Sequence, residues 1–451
     1  MKSGATDLTV GKELKVIVKF ALPVYASNFL LQCYNLTDVA IIGNYLGDHA
    51  LTSMGAVSTI YGLFIALIFG MSSGFAVITS KHYGSGDRDK LHRGLFNTMI
   101  LALIWVVLIS SIGMICLKPL MRLLGTPEGS FDEGYGYASI MIGFVFFTFC
   151  YNVFSAQLRA IGNSLAPLIF LAVSVTSNIG LDLLFVVHLG FGLKGAACAT
   201  IIAQTLSASV CLLYILKFVP ELRFSRKDMK IDRAMLMDIF TAGISFAMMF
   251  SVVNLGTMIL QRAINGLGDT IIAAHVSARK ISELCMMTLS TLASSMATFA
   301  GQNHGAKKHD RVKRGLKKTI LLGFGIATFL NLLIYTAGPF MVRLISGSSN
   351  QELISNAVFY LKFDLPFYYV LAIILITRST LQGLGSKIAP LVASLMELIL
   401  KILTAGVLVK YLGYTGIAMC EPIIWTVCAV YILIVFANNK NINPSRKTSL
   451  S

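Results

Sequence analysis

Apolar residues run along this chain in twelve long blocks separated by short polar stretches, and no block alternates with the two-residue period of a barrel strand. In the first half the blocks cover roughly 16–43, 51–79, 95–117, 135–158, 166–188 and 196–217. In the second half they cover roughly 237–264, 271–300, 319–343, 354–381, 389–410 and 417–437. Each is long enough to cross a bilayer as a helix, which takes about 20 apolar residues. The pattern predicts an all-α membrane protein with 12 transmembrane helices.

Composition strengthens that expectation. Hydrophobic residues make up 56% of the 451 positions and charged residues 13%, about half the charged share of a soluble domain. Mean hydropathy is +0.75. The net charge of +16 sits in short loops rather than along one face, which reads as membrane topology and argues against nucleic acid. With the N-terminus cytoplasmic, the inner loops collect Lys81, Arg88, Lys90 and Arg93, the run from Lys217 to Arg233, and the run from Lys307 to Lys318. The outer loops hold few basic residues, among them Lys118, Arg122, Lys194 and Arg343, so both termini are expected in the cytoplasm of a plasma (bacterial inner) membrane. The polar start leads directly into a full-length span, so no cleavable signal is expected. Six of the eight cysteines lie well inside apolar blocks with no CxxC pair, and read as small hydrophobes.

The two halves repeat. At an offset of 221 positions Asn44, Leu46, Gly47 and Asp48 match Asn265, Leu267, Gly268 and Asp269, and Gly84, Asp89, Arg93, Gly94, Leu95 and Thr98 match Gly305, Asp310, Arg314, Gly315, Leu316 and Thr319. With a two-residue shift Leu158, Gly162, Ala166, Pro167 and Leu168 match Leu381, Gly385, Ala389, Pro390 and Leu391, and Gly195 returns to register with Gly416. Six helices per half give the two copies the same orientation, an arrangement of secondary transporters. The expected lobes are an N-terminal one over 1–222 and a C-terminal one over 223–451. No Walker A, HExxH, GxSxG or nucleotide fingerprint is present, so the protein is not expected to be an enzyme and no cofactor is expected.

Charges inside the blocks are few. Arg279 with Glu283, and Glu397 with Lys401, have the spacing of intrahelical ion pairs. Lys19 and Arg378, near block ends, can snorkel. Asp38 in the first block and Asp182 in the fifth have no basic residue within a helical turn. A charge at membrane depth costs on the order of 2.5–3.5 kcal/mol on insertion scales, so such a residue reads first as a site. Asn178 lies one turn before Asp182 on the same face. The repeat places Ile259 opposite Asp38 and Ala405 opposite Asp182, so the scaffold is duplicated and the acids are not. Two carboxylates near one another can share a proton or bind a sodium ion. Tyr34 and Asn35 lie on roughly the face of Asp38 and are candidates for the substrate pathway.

In these residues the chain resembles the multidrug and toxin extrusion (MATE) family. The motifs are DVAIIG from Asp38 to Gly43, YGSGD from Tyr83 to Asp87, Leu158-Arg159-Ala160 with Gly162 and Pro167, Asn178 with Asp182, and GAACAT from Gly195 to Thr200. The resemblance implies two parallel six-helix lobes around a central cavity, and export of amphipathic or cationic organic compounds in exchange for H+ or Na+ by alternating access. It carries the cation-coupling role, with possible Na+ binding, to Asp38, Asn178, Asp182 and Thr200, and a first-helix hinge to Pro23. Some members place further acids on the seventh and tenth helices. Those positions fall near Val253 and Leu371 here, which argues against a second cation site in the C-terminal lobe. The expected partners are small organic substrates and membrane lipid, and the chain is expected to act as a monomer. The alternative is a lipid-linked oligosaccharide flippase of related architecture, against which stands the scarcity of unpaired cations at depth.

Overall fold

The computed structural model describes residues 5–439, and its secondary structure among these residues is helical throughout. The longest helix, α1 (Glu13–Ser85), is two spans run together, because Gly47 at φ 79°, ψ −175° breaks the helical geometry between them. Then come α2 (Arg88–Leu123), α3 (Glu128–Gly143) and α4 (Val145–Ala160), the last two forming one span bent by 45°. α5 (Leu165–Asp182) continues as a π-helical turn (Leu183–His188), and α6 (Gly192–Phe218) completes the first half. The second half holds α7 (Arg233–Ile264), α8 (Asp269–Gly305), α9 (His309–Ser346), α10 (Gln351–Asp364), α11 (Tyr368–Gly383), α12 (Ile388–Leu412) and α13 (Tyr414–Ala437). Counting the bent pairs once and α1 twice, the described residues carry the twelve apolar spans expected from the pattern. Residues such as Ile115, Leu123, Phe340 and Ile388 stand exposed, as side chains meeting lipid rather than water do.

The repeat is visible in the backbone as well as in the letters. Gly47 and Gly268 share a positive φ, as do Gly192 and Gly413, and Gly162 and Gly385. At the fourth such pair Gly86 (φ 73°) corresponds to Lys307 (φ 58°), the one non-glycine residue among those described that adopts this conformation. The bend between α3 and α4 also has its counterpart, where Leu365–Phe367 interrupts α10 and α11 around Pro366. Proline removes a helix donor and disfavours helical geometry in the residue before it.

By contacts the chain forms two compact units. Among the described residues, one comprises Leu22–Ala247 with 5–7, and the other Leu8–Ala21 with 248–439. Both α1 and α7 therefore change unit part-way along. In the N-terminal unit the reason for α7 is plain. Gly70 and Gly74 of α1 lie against Ala247 and Gly243 so closely that a β-carbon on either would fall 2.4 or 2.5 Å from a backbone atom. Small residues let helix backbones approach in lipid, where dispersion rather than water exclusion drives packing. For α1 the change falls between Ala21 and Leu22, beside Pro23.

Candidate functional site

The N-terminal unit gathers the sequence-predicted residues in one place. α1 supplies Tyr34 and Asp38, α5 supplies Asn178 and Asp182, and α6 supplies Thr200. Tyr34 Oη and Thr200 Oγ1 are 3.2 Å apart and hydrogen-bonded, and the Asn178 amide donates to Thr200 Oγ1 at 3.4 Å. Asp182 and Asn178 are buried, at 1% and 2% exposure, and Asp38 is half-buried. The carboxyl groups of Asp38 and Asp182 lie close enough for each to feel the other's charge. Yet Asp38 Oδ1, both oxygens of Asp182 and Asn178 Oδ1 are shielded from solvent with no protein donor. Such oxygens are hard donors, and a proton on one acid or a sodium ion among them would satisfy the group. The chemistry of the donor set thus fits either ion.

Asp182 sits where the α-helix gives way to the π turn, closed by Leu189 N donating to Leu184 O at 2.8 Å. Single π turns recur at functional sites because they re-aim side chains. The repeat-related position, Ala405, lies within a regular α-helix, so the π turn is as unequally distributed as the acids.

A cavity of about 460 Å³ lies wholly within this unit, a size that suits a small organic molecule. Asp38, Tyr34, Asn35 and Thr200 line it, which brings both substrate-pathway candidates to its wall. Tyr61, Tyr137 and Gln204 line it too and were not singled out by the sequence. Gln204 had a readable signal, being one turn beyond Thr200 on α6. The two tyrosines had none, since an aromatic in an apolar block looks the same facing lipid or cavity. Pro23 is not part of this cluster: fifteen residues along α1 separate it from Asp38, about 22 Å of helix.

The C-terminal unit holds buried charges of its own, and here the expected pairing is corrected. Arg279 does not pair with Glu283 but crosses to Glu421 on α13 at 3.0 Å, while Glu283 pairs with Lys280 at 3.6 Å. Glu397 and Lys401 do pair, at 3.5 Å, but as part of a chain in which Lys401 also reaches Glu421 at 3.7 Å and Arg378 reaches Glu397 at 3.7 Å. Arg378 is therefore buried in an ion pair rather than snorkelling. Helical spacing is blind to partners on other helices, and in lipid a cross-helix partner is the stronger demand.

Twelve apolar spans in two sequence-related halves, with Asp38 and Asp182 in one and no acid at the matching positions of the other, are the pattern of a membrane transporter. The MatE family model matches residues 23–184 and 245–407, one match in each half, and the chain belongs to that family. It is 26% identical to the probable multidrug resistance protein YpnP of Bacillus subtilis, over 92% of this chain and 93% of the relative. It is likewise 26% identical to the probable multidrug resistance protein YoeA of the same organism, over 84% and 83%. A solved structure described as the outward-facing conformation of a multidrug resistance MATE family transporter superposes with a TM-score of 0.91 at 22% identity, covering 99% of this chain and 100% of that one.

Proposed function

We propose that this protein exports amphipathic, chiefly cationic, organic compounds across the plasma membrane in exchange for H+ or Na+. The observation that carries this reading is the pair Asp38 and Asp182, close enough to feel one another's charge, with three of their own oxygens and Asn178 Oδ1 unpartnered. Two carboxylates so placed in a low-dielectric interior repel, and a single cation between them relieves the repulsion. Binding is therefore strong only in a conformation that brings the acids together, and this differential affinity is what lets an ion gradient bias a two-state protein.

In the proposed cycle the outward-facing protein takes up the cation at Asp38, Asn178, Asp182 and Thr200. The neutralised α1 bends at Pro23, repacks against the cavity and releases substrate. Discharge of the cation to the cytoplasm resets the inward-facing state. The names of the Bacillus relatives support multidrug compounds as cargo, and the basic inner loops support cytoplasmic termini.

The test is efflux of a fluorescent cation from vesicles with the sodium and pH gradients imposed separately. One gradient should drive efflux, and Asp38→Asn or Asp182→Asn should abolish it while the protein still inserts. Efflux at wild-type rates in either variant would sink the proposal.

A further inference from the structure

The cavity of the N-terminal unit is acidic at one end and basic at the other. Asp38 marks the first end, beside Tyr61 and Thr148. Along α4 the cavity wall then runs through Thr148, Asn152, Ser155 and Arg159, at steps of four, three and four residues that keep them on one helix face. From Thr148 to Arg159 is about 16 Å of axis. Gln204, whose Oε1 is shielded with no donor, also lines the cavity, one turn from Thr200 on α6.

Arg159 is half-buried and, among the described residues, has neither an ion pair nor a hydrogen bond from its guanidinium. The titratable groups whose charge it feels are Tyr151 and Cys211, both neutral side chains at physiological pH, and no carboxylate is among them. The shielded arginines of the C-terminal unit behave otherwise: Arg279, Arg311 and Arg378 each have a carboxylate at 3.0, 3.7 and 3.7 Å. Snorkelling to bulk water is the usual resolution for an arginine at a helix end. Arg159 instead contributes to the wall of the cavity. The C-terminal dipole of α4 favours a positive charge there, so the charge is maintained while its five donors have no protein acceptor among the described residues and face the cavity.

We propose that Arg159 is an anion-recognition point and that the cavity accepts carboxylate-bearing amphiphiles, with the carboxylate on the guanidinium and the apolar body toward Tyr61 and Tyr137. A guanidinium fork matches a carboxylate with two parallel hydrogen bonds. This deepens the efflux reading and rests on it: a cargo with both charges spans both ends of the cavity, and loss of one end costs it selectively.

The experiment uses two rhodamine dyes that differ only in a free carboxylate or its ethyl ester. Their affinities for the purified full chain in detergent are read by fluorescence anisotropy, with no gradient present, and their efflux is read in energised vesicles. The ratio of acid to ester affinity should fall roughly 10- to 100-fold in Arg159→Gln, the range for losing a charge-assisted hydrogen bond. Arg159→Lys should recover part of it. A ratio that does not move, or an equal loss for both dyes, overturns the assignment. If Arg159→Gln does not fold, Arg159→Lys decides alone, since replacing the fork by a point charge should still lower the ratio. Binding that depends on Arg159 without gradient-driven efflux would remove the antiport reading and keep this one. Efflux of the ester with no Arg159-dependent preference would do the reverse.

Discussion

Tyr34 and Thr200 are tied across α1 and α6 by a 3.2 Å hydrogen bond, and the same Thr200 hydroxyl receives the Asn178 amide at 3.4 Å. One hydroxyl thus joins the helix of Asp38 to the helix of Asp182 through their neighbours. Thr200→Val keeps the shape and removes the hydroxyl. A net hydrogen bond is worth about 0.5–1.5 kcal/mol, so the cation concentration for half-maximal efflux should rise about 2- to 10-fold. Titrating efflux against the driving ion checks this, and an unchanged half-saturation would remove Thr200 from the site.

Pro23 leaves the carbonyl of Lys19 without its helical donor, and Ser27 Oγ donates to the Pro23 carbonyl at 2.9 Å. The missing bond falls beside the position where α1 passes from one compact unit to the other. Pro23→Ala restores the donor and stiffens the helix there. Turnover should drop several-fold, while the cation concentration for half-maximal efflux stays at its wild-type value, because Pro23 lies far from Asp38. A shift in half-saturation with full turnover would contradict the hinge.

Glu421 is 5% exposed and faces both Arg279 and Lys401. Removing one member of a buried ionic network strands the others, at about 3–5 kcal/mol. Glu421→Gln should therefore lower the thermal midpoint in detergent markedly. Glu283→Gln, which breaks an exposed pair with Lys280, should stay within about 1 kcal/mol of wild type. Equal effects of the two substitutions would show that the network carries no special weight.

Glu13 precedes the first span and accepts from Lys318 at 2.8 Å and Arg314 at 2.9 Å. These two hydrogen bonds, Lys318 first, hold its carboxyl down from 4.5 to about 2. A lowered carboxyl stabilises the fold above its unfolded value and loses that contribution as pH falls through the folded one. Glu13→Gln should thus melt earlier than wild type at neutral pH, and the gap between the two should close as pH falls from 4.5 toward 2. Melting curves across that range test it. A gap constant with pH would mean that the ion pairs add nothing.

Lys307 holds the left-handed conformation that its repeat partner Gly86 adopts freely. That conformation costs a residue with a β-carbon roughly 1–2 kcal/mol. Glycine itself loses more entropy on folding, which offsets part of the gain. Lys307→Gly should stabilise the C-terminal unit by about 1 kcal/mol in a chemical melt, and a loss of stability would show that the lysine side chain compensates for its backbone.

The number of spans, the repeat and the acids Asp38 and Asp182 were legible in the order of residues, for physical reasons that act locally. A bilayer demands an uninterrupted apolar run, positive φ demands glycine at nearly every duplicated turn, and a carboxylate in an apolar block is costly wherever it points. Asn178 was legible for the same kind of reason, lying one turn from Asp182.

What depends on distant segments was decided only in three dimensions. Arg279 and Glu283 have the spacing of a pair, yet Arg279 goes to Glu421, because a buried guanidinium takes the best-placed carboxylate whatever the separation along the chain. Tyr61 and Tyr137 could not be told from lipid-facing aromatics until the helices around the cavity were assembled. The passage of α1 between units beside Pro23, and the solitude of Arg159, belong to packing. Local composition determines that a helix crosses the membrane, whereas its neighbours decide what each of its faces meets.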